Sequence, residues 1–388
     1  MPEVMRRAAP VVPILACFGG GSLYGWSGYM PAVQARFDLG HGAGGLVFSL
    51  ALVSFTAGVL LGPSLLARLP ERRQILCAAA FAAAGLLGAA LSSGLALFAF
   101  GFSVVFGGAS GALYNLAVSI GARHARAHFL VPISVAVFAL GGAVFGPLHL
   151  WLGAQGWGLW SVWPALAVLL CVVGLSLGLT PVPAPTGHSA ETRVPVANAE
   201  LLRLWAVFAA GSCAGLVVLG FAAQMVGAEA AFAARAIGLA AVGNTLGRLS
   251  AAPVAHRFGP AKGMAFALAL TILALGGLML RGTPDMVTAT LFCVALGYGH
   301  LAAQMPLLVR AQVPQADFSR AFGWVFTGWG VAGLAGPWTA GVLFDAAGSM
   351  RPALMLCAVL CALSLGLLVP VVARSRPARE NVDISNLS

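Results

Sequence analysis

Three observations predict an all-α membrane protein, with twelve transmembrane helices in two pseudo-symmetric six-helix bundles and both termini cytoplasmic. The first is composition: of 388 residues, 60% are hydrophobic and only 8% charged, whereas soluble domains carry about 25% charged residues. Mean hydropathy is +0.94. The second is repetition. Apolar runs of about 20 residues, enough to cross roughly 30 Å of hydrocarbon, recur twelve times. The third is the placement of basic residues. Of 21 Lys and Arg, sixteen fall in segments assigned to the cytoplasm, four outside (Arg36, Arg235, Arg281, Arg351) and one, Arg248, within a helix. That bias orients the chain and explains its formal charge of +10 without a nucleic-acid partner.

In order, the predicted helices run 11–33, 43–67, 75–93, 95–122, 129–153, 160–180, 204–226, 236–255, 263–281, 286–309, 321–343 and 353–373. Arg6 and Arg7 before the first run resemble the start of a secretory signal. The run from Val11 to Val33 is long enough to span, however, and Gly28-Tyr29-Met30-Pro31 is no small-residue cleavage site, so the helix is expected to be retained. Basic clusters return at every second loop: Arg68, Arg72 and Arg73; Arg123 and Arg126; Arg257 and Lys262; Arg310 and Arg320. The outer loops between the third and fourth helices and between the fifth and sixth carry no charge.

The longest connection, Pro181 to Arg203, is rich in Pro, Thr, Ser and Ala and reads as a flexible cytoplasmic linker. The organisation expected is therefore an N-terminal bundle (1–180), a linker (181–203), a C-terminal bundle (204–373) and a cytoplasmic tail (374–388). The halves echo each other. Phe145-Gly146-Pro147 and Ala335-Gly336-Pro337 both close glycine-rich helices, a weak internal symmetry of the kind that transporters built from repeated halves show. All seven cysteines lie in or beside apolar helices without Cys-x-x-Cys spacing and read as small packing residues.

Arg248 is the centre of the functional reading. A guanidinium is not titrated away, and at the middle of a bilayer it costs roughly 2.5 to 3.5 kcal/mol on insertion scales, tolerated on a bundle interior or in a water-filled cavity. Gly243 and Gly247 share one helix face, which lets a neighbouring backbone approach, while Asn244 and Arg248 form a polar stripe beside it. All eleven acidic residues fall in loops, tails or helix ends. A buried charge without a partner is expensive, so an anionic substrate is expected to supply one, held by a bidentate fork. The alternative is an arginine bonded to backbone carbonyls of a neighbouring helix.

Several segments carry a family pattern. Tyr24-Gly25-Trp26-Ser27 with Pro31, Gly111 with Tyr114, Leu204-Trp205, Gly243-Asn244-x-x-Gly247-Arg248 followed by His256-Arg257-Phe258-Gly259, and Gly330 to Gly336-Pro337 with Phe344-Asp345-x-x-Gly348 together resemble the major facilitator superfamily. Within it they resemble the oxalate/formate antiporter and monocarboxylate transporter branch. The resemblance implies the major facilitator fold, a monomer, a central site opening alternately to each side, and a carboxylate-binding role for Arg248. There are departures. The loop signature after the second helix, Gly62 to Arg68, lacks its usual Asp, and His256 replaces the Asp of the second half. Trp329 stands where oxalate-handling members carry a lysine, which argues against a dianion.

The resemblance also implies that the first, fourth, seventh, eighth, tenth and eleventh helices line the cavity. Tyr24, Tyr114 and Tyr298 are then candidate hydroxyl donors to a carboxylate, the alternative being the interfacial aromatic belt, which is expected to hold Tyr29. His300 is a candidate second cation and proton-coupling group, or a neutral histidine bonded between helices. His149 is expected at the interface. Trp324 and Trp329 could form an aromatic wall or pack helices, and Asn244, like Asn115, Ser212, Gln224 and Thr327, could touch substrate or join helices.

The expected function is secondary active transport of small organic anions, most plainly monocarboxylates, by alternating access in a multi-pass cell membrane location, the bacterial inner membrane. Proton symport and anion exchange both remain open. The alternative is a proton-coupled efflux pump for hydrophobic compounds, against which the lack of a buried carboxylate counts. No enzyme is expected, since no paired carboxylates or nucleophile with a base stand at membrane depth. No nucleotide loop, metal set or other cofactor motif is present, and none is expected.

Overall fold

The computed structural model describes residues 11–123, 127–179, 199–227, 229–280, 282–314 and 317–374. Within them the chain makes twelve helical passes. α1 is Val12–Gly20, a 3-10 turn Gly21–Gly25, and Trp26–Phe37. α2 is His41–Leu66 and α3 Glu71–Leu91; α4 is Leu95–Ala99, a π segment Phe100–Phe106, and Gly107–Ala122. α5 is Ala127–Ala154, α6 Leu159–Leu179, α7 Ala199–Val226, α8 Ala230–Phe258, α9 Pro260–Met279, α10 Pro284–Arg310, α11 Phe318–Ala347 and α12 Arg351–Arg374. Nine of these, among the described residues, are individually long and apolar enough to cross a membrane.

The expected spans are recovered, with differences at their ends. α8 starts six residues before the expected 236 because Ala230 to Arg235 continue the helix above the apolar run, where Arg235 pairs with Asp285 of α10. α7 starts at Ala199, inside the expected linker, and its first turn is held by the Glu200 to Arg203 ion pair at 2.9 Å. The rest of that linker, 181–198, and the tail beyond Arg374 lie outside the described residues.

Two contacts across the halves organise the molecule: α2 lies along α11, and α5 along α8. Small residues make this possible. Within the second half, a Cβ at Gly247 would sit 2.8 Å from the backbone nitrogen of His300, so α8 and α10 pack with almost no side chain between them. That close approach fixes the rotation of α8 and with it the direction in which Arg248 points.

Two expectations fail in the first half. Tyr29 and His149, both expected at the membrane interface, are buried at 1% and 2% exposure. The Tyr29 ring meets His149 edge-on at 5.3 Å and Trp163 at 5.4 Å, inside a stack that continues through Phe102 to Trp26. Aromatic rings bury more area against one another than they gain from a headgroup, so the bundle core takes them.

At one end the halves are tied by polar contacts. Asp345, in the last turn of α11, accepts from the backbone nitrogens of His41 at 2.9 Å and Gly42 at 2.7 Å, with His41 Nδ1 at 3.1 Å. A carboxylate thus sits on the N-terminus of α2, where the helix dipole favours it. Beside it, Ser27 of α1 accepts from the backbone nitrogen of Ala223 at 2.7 Å and donates to Gln224 Oε1 at 3.3 Å. It is the end that the charge bias of the loops leads one to expect outside.

Candidate functional site

Midway between the halves lies a cavity of about 50 Å³. Each half contributes in the same way: Tyr24, Phe55, Tyr114 and Phe138 come from α1, α2, α4 and α5; Phe208, Arg248 and Ala302 from α7, α8 and α10; Phe322, Phe326 and Trp329 from α11. The third helix of each three-helix repeat (α3, α6, α9, α12) stays out of the lining. A volume of this size holds roughly three to five water molecules, at about 10 to 15 Å³ each.

Arg248 is the only charged residue of the lining. Its Nε donates to Asn244 Oδ1 at 3.2 Å, one helical turn back, which leaves the forked end of the guanidinium directed at the tyrosines. Tyr24 and Tyr114 line the same cavity, and Tyr298 stands behind them with its hydroxyl 3.4 Å from that of Tyr24. Among the described residues it has no carboxylate partner. Asn244, fully buried, therefore orients the cation and does not line the cavity.

Behind the lining the phenols form a chain. Trp329 Nε1 donates to the Tyr298 hydroxyl at 2.7 Å, and Tyr298 lies 3.4 Å from the Tyr24 hydroxyl. Tyr298 accepts the indole proton, and either phenol of the Tyr24–Tyr298 pair can donate to the other. Where Tyr298 donates to Tyr24, the proton of Tyr24 is left for an acceptor in the cavity. The polar groups presented there, a fixed cation and phenol hydroxyls, can all donate. The walls are aromatic, with Trp329 stacked on Phe326 at 5.4 Å and tilted against Phe55 at 5.9 Å. Such a site suits one oxyanion on a small apolar body.

The structure brings together Arg248, Tyr24, Tyr114 and Trp329 in the lining, with Tyr298 and Asn244 immediately behind it. It does not bring in His300 or Trp324. His300 turns to the far side of α10, where Nδ1 is 2.9 Å from Ser250 Oγ and Nε2 is 3.0 Å from Gln304 Nε2. Gln304 Nε2 also donates to the carbonyl of Ala251 at 2.9 Å, so its other proton points at His300 Nε2 and the ring proton sits on Nδ1, donated to Ser250. The close packing of α8 on α10 turns the imidazole away from the guanidinium. Trp324 packs instead against Trp205 at 6.3 Å, whose Nε1 donates to Thr327 at 2.9 Å.

The five phenylalanines of the lining, with Ser250 as the partner of His300, have no signal in the sequence: Phe is frequent throughout the apolar helices.

Comparison with solved structures decides the fold. A crystal structure of a D-xylose-proton symporter superposes with a TM-score of 0.72 over 92% of this chain and 97% of that one, at 15% identity. That of a mutant of the nucleoside transporter NupG gives a TM-score of 0.71 over 94% and 99%, at 13% identity. The chain has the major facilitator fold. In sequence, residues 206–386 match the family model of the Major Facilitator Superfamily. No curated protein matches the chain in sequence. The eight helices that line the cavity and the four that do not are thus the inner and outer helices of a major facilitator bundle, and the Asp345 clamp joins its two halves.

Proposed function

We propose that this chain is a secondary transporter of small monocarboxylate anions working by alternating access. The observation that carries the reading is the cavity between the halves, where Arg248 stands without an acidic partner among the described residues, beside phenol hydroxyls that can donate. A carboxylate accepts the guanidinium fork and the Tyr24 hydroxyl, with Tyr114 beside them and Tyr298, Trp329 and Asn244 holding the donors in place. Its short apolar body rests on the aromatic walls. Neutralising the buried charge lowers the cost of closing the halves over the site, so the loaded form crosses more readily than the empty one.

One fixed cation matches one negative charge, which favours a monocarboxylate over a dianion. The cavity volume speaks against efflux of large hydrophobic compounds, and its lining contains no carboxylate or histidine to carry a coupled proton. Anion exchange or passage down the anion gradient is therefore favoured over symport, with His300 holding helices together.

The test is uptake of labelled acetate, propionate and lactate into proteoliposomes, with and without an inward proton gradient and with and without unlabelled anion trapped inside. Uptake that depends on Arg248 and is stimulated by trapped anion is the expected result. Stimulation by the proton gradient that vanishes in His300→Ala would replace exchange by symport, and uptake retained in Arg248→Gln would remove the central assignment.

A further inference from the structure

A second cavity, of about 260 Å³, opens at the Asp345 end within the second half, between the ends of α7, α9, α10, α11 and α12. Its polar groups come from Arg351, Gln224 and Ser349, and its apolar walls include Val287, Phe344 and Leu354. Arg351 donates one N–H to the carbonyl of Met279 at 3.0 Å and keeps the rest of its fork. Gln224 uses its Oε1 to accept from Ser27, while its Nε2 is buried without a partner. In this arrangement the Ser27 oxygen accepts from Ala223 and its proton goes to Gln224 Oε1.

The chemistry offered is close to that at the centre: a guanidinium and apolar walls, with the buried, unpartnered amide nitrogen of Gln224 behind the surface. The two carboxylates nearest in sequence to the lining are engaged elsewhere, Asp285 with Arg235 and Asp345 with α2. Two of the walls are also parts of the tie between the halves. Gln224 holds Ser27, and the Phe344 ring lies 4.0 Å from that of His41.

We propose that this cavity is a second carboxylate site, on the outer face, through which external anion acts on the closed outer gate. Arg351 and the Gln224 amide take the carboxylate, and the apolar part of the anion lies on Phe344, Val287 and Leu354. Because the same amide holds Ser27 through its Oε1, occupation of the cavity bears on the tie between the halves and can shift the balance between closed and open forms. The identity of the anion rests on the reading of the central site, but the site itself does not.

The experiment is equilibrium binding of labelled propionate and, separately, benzoate to the purified full chain, in detergent free of anionic lipid and in nanodiscs containing phosphatidylglycerol. Two sites are expected in the unaltered protein. Arg248→Gln should keep one of them, Arg351→Gln should weaken that one at least tenfold, and Arg351→Lys should restore most of the loss. Arg351 is exposed at a helix start, so these variants are expected to fold. One site in the unaltered protein and none in Arg248→Gln overturns the outer site and leaves the central reading intact. One site that survives Arg248→Gln and is lost in Arg351→Gln sustains the outer site and removes the central one. Binding seen in detergent but abolished by phosphatidylglycerol would assign Arg351 to lipid phosphate and overturn the carboxylate site.

Discussion

The indole N–H of Trp329 reaches the Tyr298 hydroxyl at 2.7 Å, joining α11 to α10 directly behind the Arg248 cavity. With the indole donating, Tyr298 can pass its own proton to Tyr24, which frees the Tyr24 proton for the cavity. Trp329→Phe keeps the ring and removes the donor. Tyr298 can then accept from Tyr24, and the cavity loses a hydrogen-bond donor. The apparent KM for a transported carboxylate is expected to rise roughly two- to tenfold, the worth of one net hydrogen bond, with unchanged protein in the membrane. Initial-rate kinetics in proteoliposomes check it, and an unaltered KM would mean that Tyr298 does not relay its proton.

Arg248 separates charge from geometry. Arg248→Gln removes both and is expected to abolish uptake. Arg248→Lys keeps the charge but gives up the planar fork and the Asn244 bond, and should retain transport with KM raised about tenfold. Equal activity in the lysine variant would mean that the site needs only a point charge.

Gly247 tests the packing that aims Arg248. A valine there drives side-chain atoms into the backbone of α10 at Leu296 and His300. Overpacking of this kind costs about 1 to 3 kcal/mol or more, so Gly247→Val should lower the thermal midpoint measured by size-exclusion chromatography after heating. Gly276→Ala on α9, where a Cβ meets nothing within 4 Å, is the matched control and should leave the midpoint in place.

Asp345→Asn should loosen the outer tie. The amide loses the charge that favours the N-terminus of α2, worth about 0.3 to 1 kcal/mol at an exposed position, and keeps weaker hydrogen bonds. A cysteine introduced as Met225→Cys, beside Gln224, should react with an external membrane-impermeant maleimide about two- to fivefold faster in the Asp345→Asn background. No change in rate would show that the apolar contacts of α2 and α11 hold the halves by themselves.

Much of this architecture could be read from residue order. Twelve apolar runs, the alternation of basic loops and the lone Arg248 in an apolar helix each carry a cost in hydrocarbon, and costs of that kind leave a trace in composition. The tyrosines of α1 and α4 could be assigned to the cavity only through the family resemblance, yet they are found there. His300 was legible as a buried polar residue but not as one facing α9 and the Ser250 side, and Tyr29 and His149 could not be told from interfacial residues.

The sequence by itself therefore determined the number of helices, their break into halves and the position of one cation, Arg248, within an apolar helix. Tertiary structure alone decided which way each helix faces: that five phenylalanines wall the cavity, that His300 turns away from it, and that Arg351 and Gln224 share a second one. The reason is the solvent. In water a helix advertises its buried face by being polar on the other, but in a bilayer the lipid-facing and core-facing sides are both apolar. Helix rotation is then set by close backbone contacts such as that at Gly247, which periodicity does not record.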